Sequence, residues 1–300
     1  MTAFEPLLEL YPDALVRAGR VYPVVIAAEP PGRPRPLTVE NRPASPSDLG
    51  AAGASHLARR RAEDPSLTNG PTVCWTGDDG DEVRVRVGEY FDMLATSDAL
   101  RAEFVDRPDG TPVGALGLRA RAHALAGDPL RSGIGRDAAI GVSVVLTVRR
   151  PTGERAFVIG RRGRVSSDRG CWHVAPSGML ELAGDLDPVA ATVATELREE
   201  LGLDLDPGDV LGRTARLGLI HDLLRLKPDL VVRLDLDVDP GDLQAVTEFD
   251  RLAFVPLDRA GLDAFWKTHA PHHLTPAAAG AIALLEGTLP VSRSAEPGHP

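Results

Sequence analysis

Between Asp187 and Gly202 the chain marks out a helix with both ends defined. Asp187 offers a side-chain acceptor to free backbone N–H groups, Pro188 suits the first helical position, and Gly202 suits the left-handed residue that ends a helix. At about 100° per residue, Ala190, Ala194, Leu197 and Leu201 share an arc that can face a core. Glu196, Glu199 and Glu200 fall within a neighbouring arc of roughly 100°. Like charges on one helical face repel by a few tenths of a kcal/mol per pair, so something positive should offset them. A hard divalent cation such as Mg²⁺ takes oxygen ligands, keeps several waters and bridges to phosphates, which suits phosphate hydrolysis. The alternative on charge alone is a solvated acidic face.

Around this helix the pattern is that of an α/β protein. The apolar run Ala139 to Val148 and the run Arg155 to Gly160 flank Pro151-Thr152-Gly153-Glu154, a hairpin signal. Strands are expected over Val210 to Ile220, Leu230 to Val238 and Arg251 to Val255, and helices over Asp258 to Trp266 and Pro276 to Leu284. Upstream, Asp48 to Arg61 reads as a helix capped by Ser45 or Ser47. Glu82 to Val87 alternates at period two as a strand, with a helix around Tyr90 to Ala95. The proline-dense stretch around 30–47 reads as a surface loop. A change from turn-rich to β-rich sequence near residue 135 divides the chain into a smaller N-terminal α+β domain, 1–135, a second domain, 136–290, and a frayed tail, 291–300.

The balance of 43 acidic against 33 basic residues, net charge -10, excludes a backbone-tracking nucleic-acid binder. The start lacks a signal peptide, no apolar run spans a bilayer, and two cysteines suit a reducing compartment. The expectation is therefore a cytoplasmic protein with no membrane or nucleic-acid partner. Cys171-x-His173 falls short of a zinc site, and His269, His272 and His273 read as a solvated loop.

The string Gly178 to Leu203, GMLELAGDLDPVAATVATELREELGL, resembles the Nudix box. Its second half, Glu196-Leu197-Arg198-Glu199-Glu200-Leu201-Gly202-Leu203, follows that family's pattern closely. The family arginine is replaced by Thr195, and the spacing after Gly178 is three residues longer. The first-half glutamate is either Asp187 or Glu181 ahead of an insertion. Asn69-Gly70-Pro71, Tyr90-Phe91-Asp92, Thr96, Arg161-Arg162 and Pro176-Ser177-Gly178 with Glu181 are thinly similar to the branch containing UDP-sugar pyrophosphatases, which carries an extra N-terminal domain and an inserted box.

The resemblance implies a Nudix α/β/α sandwich behind the smaller α+β domain, and metal-dependent hydrolysis of a nucleoside diphosphate linked to another group. A nucleotide sugar, giving a nucleoside monophosphate and a sugar 1-phosphate, is the leading substrate. Carried over, Glu196, Glu199 and Glu200 would hold Mg²⁺ or Mn²⁺ with the Gly178 carbonyl. Glu199, Glu200 or Glu181 would serve as base, with Glu248 as a further candidate. Arg161 and Arg162 would bind phosphate through their guanidinium groups, and Trp172 would stack on a base or sugar. His221 and Lys227 flank a loop that could reach substrate. A homodimer is compatible with the resemblance. Two rivals remain: a nucleotide-binding or regulatory module without turnover, and isopentenyl diphosphate isomerase, whose cysteine acid/base the context of Cys171 does not match.

Overall fold

A computed structural model describes residues 3–29, 34–41, 50–108, 110–163 and 167–289. Ser45, Ser47, Arg164 and the tail 291–300 lie outside the described residues. In the first half, β1 (Val16–Arg17) and β2 (Arg20–Val21) form a small hairpin, followed by β3 (Val24–Ala28) and β4 (Leu37–Val39). Then come α1 (Ala51–Glu63), β5 (Pro71–Asp78) and β6 (Val83–Glu89). A continuous helical stretch runs as α2 (Tyr90–Met93), a π segment (Leu94–Asp98) and α3 (Ala99–Val105), and α4 (Gly117–Ala126) follows. This stretch is longer than the sequence pattern predicts. Asn69 supports its start from outside, its side-chain oxygen accepting from the Phe91 N–H at 2.9 Å.

The second half contains β7 (Ala138–Ala139), β8 (Gly141–Arg149), β9 (Arg155–Arg162), β10 (Trp172–Val174), β11 (Ser177–Met179) and α5 (Pro188–Leu201). It continues through α6 (Pro207–Arg213), β12 (Thr214–Asp222), β13 (Lys227–Asp235), β14 (Phe249–Pro256), α7 (Arg259–Thr268) and α8 (Pro276–Gly287). The main sheet is eight-stranded and mixed, with the path β10-β9-β8-β13-β12-β3, β11 added on β8 and β14 on β9. β8 and β13 run parallel; the other pairs of this sheet are antiparallel. The period of two along β8 sends Val142, Val144, Leu146 and Val148 to one face and Val145 to the other. On the first face they meet Ala190, Val193, Ala194, Leu197 and Leu201 of α5. On the second, Val145 and Val231 pack with Leu262 and Phe265 of α7 and the apolar body of α8. The fold is thus an α/β/α sandwich.

The sequence pattern predicts a strand from Val210, but α6 occupies residues 207–213. Asp206 caps it by accepting from Gly208 N–H, and Pro207 fills the first helical position, so local capping outweighs the apolar run. The 107–136 stretch, expected to be turns, contains α4. The expected boundary near 135 is crossed twice: β3 pairs with β12, and β7 pairs with β5 in the smaller four-stranded sheet β4-β6-β5-β7. Among the described residues no helix is long and apolar enough to cross a membrane.

Candidate functional site

The helix α5 has the ends its sequence specifies. Asp187 accepts from Ala190 N–H at 2.8 Å, and Gly202 takes φ 71° at the far end. With Leu197 and Leu201 fixed in the core, the same turn of helix places Glu196 and Glu200 towards β11. The Glu200 carboxyl is buried; one oxygen accepts from Ser177 N–H at 2.9 Å, and the other has no hydrogen-bond partner among the described residues. Glu196 presses on Gly178 so closely that a Cβ at 178 would overlap its Oε1. Glycine is therefore needed there for close approach. Burial pushes the Glu196 carboxyl up to about 8, with the charges of Glu248, Glu199 and Glu181 adding to the effect. Burial, then Glu196 and Glu248, raise Glu200 well above the carboxylate range.

Gly178 and Glu196 line a cavity of about 540 Å³ between the two halves of the chain. Tyr90, Met93, Leu94 and Asp98, one face of the α2–π–α3 stretch, line it together with Arg60 of α1. The main sheet contributes Ser143, Arg162, His173, Lys227 and Asp229. Among the described residues six carboxylates line it (Asp98, Asp168, Asp222, Asp229, Glu196 and Glu248) against four cations (Arg60, Arg162, Arg225 and Lys227). Each cation already has a carboxylate neighbour. Arg162 Nη1 is 3.0 Å from Glu248, Lys227 Nζ is 2.8 Å from Asp229, and Arg60 is 3.8 Å from Asp98. Arg225, buried, holds Asp222 at 3.0 Å and Asp168 at 2.8 Å. Arg101 meets the other oxygen of Asp168 at 2.7 Å, and the two guanidinium groups hold that carboxyl well below the usual range despite its burial.

The predicted residues separate into two groups. Glu196, Gly178 and Arg162 line the cavity, with buried Glu200 directly behind. Glu199 and Glu181 are exposed, though both charges reach Glu196. Arg161 points away from Arg162, as neighbours on a strand must, and lies 3.7 Å from Asp250. Trp172 stacks under the Arg251 guanidinium and against the His269 ring. Neither Arg161 nor Trp172 is among the described residues lining the cavity. Glu248 does line it, held there because Gln244 and Val246 N–H groups and the Thr247 hydroxyl bind the last carbonyls of α5. His173 and Asp229 also line it, and neither is marked by a sequence motif. His221 is buried against Trp75 and is not among the described residues lining the cavity; Lys227 does line it.

No family model and no curated protein matches the chain. Among solved structures, it is similar to the NUDIX domain of Shewanella oneidensis NrtR complexed with ADP ribose, at 14% identity over 50% of this chain and 86% of that one, TM-score 0.37. It is also similar to a C. elegans Ap4A hydrolase, at 15% identity over 50% of this chain and 98% of that one, TM-score 0.32. A third likeness is to a bifunctional NMN adenylyltransferase/ADP ribose pyrophosphatase of Francisella tularensis, complexed with AMP and an Mn ion. There the identity is 13%, the TM-score 0.38, and the match spans 50% of this chain but 41% of that one. At these scores the likenesses assign no role to any residue of this chain.

The donor chemistry fits a hard divalent cation. Glu200 has an unpartnered buried oxygen, Glu196 is a carboxyl crowded by three others, and both meet the backbone at Ser177 and Gly178. Among the described residues no three His, Cys, Asp or Glu side chains are gathered as a ready metal cage. Cys171 and His173 do not act together: Cys171 Sγ lies 3.5 Å from the His272 carbonyl, and His173 bonds Thr275.

Proposed function

We propose that this chain is a Nudix-type pyrophosphohydrolase that cleaves the diphosphate linkage of a nucleoside diphosphate joined to another moiety, with a nucleotide sugar as the leading substrate. The observation that carries the reading is the charge of the cavity: among the described residues carboxylates outnumber cations, and each of those cations is already engaged. A dianionic diphosphate enters such a space only together with added positive charge. Glu196 and Glu200, with the Gly178 carbonyl, are the groups that would hold Mg²⁺ or Mn²⁺, with Glu199 from the exposed side of the same turn. Bound there, the ion would lower the pKa of coordinated water and neutralise the diphosphate.

The chain's own groups divide the remaining work. Arg162, in the cavity wall beside Glu248, binds a phosphate oxygen. Glu199, Glu200 and Glu181, and Glu248 beside Glu196, are the carboxylates placed to take a proton from water. The Tyr90–Met93–Leu94 face with Arg60 receives the moiety beyond the phosphates. We place the reaction in the cytoplasm with a small-molecule nucleotide as partner.

The test is Mg²⁺-dependent product release from nucleotide sugars, dinucleotides, ADP-ribose and nucleoside triphosphates, with Glu199→Gln alongside. Hydrolysis of one class, lost in the variant, supports the reading. Nucleotide binding without turnover across the panel would replace it with a binding module, the reading favoured by Thr195 and the longer spacing after Gly178.

A further inference from the structure

His173 lies on β10 in the cavity wall, 7% exposed. Its Nδ1 is 2.6 Å from the Thr275 hydroxyl oxygen. That hydroxyl also caps α8, where its oxygen accepts from Ala278 N–H at 3.1 Å. Thr275 is itself buried, and Nδ1 is the only acceptor its own proton meets among the described residues. A buried hydroxyl that already accepts one bond is fully satisfied by donating the other, so Thr275 donates and Nδ1 accepts. The ring proton then resides on Nε2, the nitrogen left for the cavity. Burial, reinforced by Arg162, holds the ring well below the ordinary histidine range, so it stays neutral at pH 7. Arg162, Lys227 and Arg225 act against protonation of the ring, and Asp168 acts for it.

We propose that His173 is a positioning donor, giving the hydrogen bond Nε2–H to an oxygen of the substrate diphosphate, with Thr275 fixing its tautomer. This rests on the reading that a diphosphate enters the cavity. Unlike the four cations described in the cavity, His173 has no carboxylate holding its donor among the described residues, so the bond forms without first breaking an ion pair.

The experiment measures ADP and inorganic pyrophosphate binding by calorimetry, with and without Mg²⁺, and KM and kcat on the best substrate of the panel, for the full chain and two variants. A hydrogen bond to a charged acceptor contributes enough that His173→Leu should weaken probe binding and raise KM by about tenfold or more, with kcat changed far less. His173→Gln keeps a donor at the same reach and should recover most of the affinity. Nitrogen NMR of the wild-type ring should show the proton on Nε2 at pH 7. A proton on Nδ1, or an imidazolium, overturns the proposal without any ligand. Wild-type turnover with unchanged KM and probe affinity in His173→Leu overturns it while leaving the hydrolase reading intact. Probe binding that falls in His173→Leu, in a wild-type chain without turnover, upholds it and removes the hydrolase reading. A wild-type chain that binds neither probe overturns both.

Discussion

His221 makes stability depend on pH in a window where few other side chains titrate. Its ring is buried on β12 and packs edge-on against Trp75 of β5, 5.4 Å between centroids, at the junction of the two sheets. Burial lowers its pKa from 6.5 to about 4. The unfolded chain therefore takes up this proton first as pH falls. The stabilisation is fully present above about pH 6.5 and is lost progressively down to about pH 4, below which both states carry the proton. At about 1.4 kcal/mol per unit, the full loss is on the order of 3 kcal/mol, a large share of a typical folding free energy. His221→Leu keeps the volume and removes the proton. Urea unfolding of both proteins at pH 7.5 and pH 4.5 reads the difference, because carboxylates contribute equally to each. The wild-type chain should lose about 2 to 3 kcal/mol more than His221→Leu between the two pH values. Equal losses would refute the burial argument.

Gly178→Ala should abolish Mg²⁺-dependent turnover while shifting Tm by no more than about 2 °C, because the new Cβ meets the movable end of Glu196 and not the backbone; melting curves and product release on one preparation check both halves. Arg225→Met leaves the Asp168 and Asp222 carboxylates buried without their shared cation, and urea unfolding should show a loss of about 3 to 5 kcal/mol. Asp187→Ala removes the acceptor for Ala190 N–H and should lower stability by about 1 kcal/mol in the same assay.

What could be read from the sequence is what short-range chemistry decides. The limits of α5 follow from Asp187, Pro188 and Gly202, and its buried stripe from the spacing of Ala190, Ala194, Leu197 and Leu201. The central strands β8 and β9 follow from apolar runs on either side of a turn. At α6 the apolar run from Val210 suggests a strand, but the cap Asp206 and Pro207 start a helix there. Within the site, period two along β9 could have separated Arg162 from Arg161 in advance. Glu248 is named by the sequence only as a further base candidate, and His173 not at all as a substrate contact, because no local pattern brings either to the cavity. One arrives through hydrogen bonds from residues 244–247 to the end of α5, the other through Thr275, 102 residues along the chain. The cavity itself depends on packing the 90–98 stretch against the main sheet, a long-range outcome that composition does not encode.

The pairing of β3 with β12 sets an order on synthesis. Residues 24–28 are synthesised before their hydrogen-bonding partners, residues 218–222, which follow about 190 residues later. Until then the backbone groups of that strand stay open to water or to other chains. Strand β3 therefore has no partner in the main sheet while the residues between it and β12 are being made. A stalled or truncated product ending before residue 218 would keep this strand exposed, and should be recognised by aggregation assays as a different species from the full-length chain.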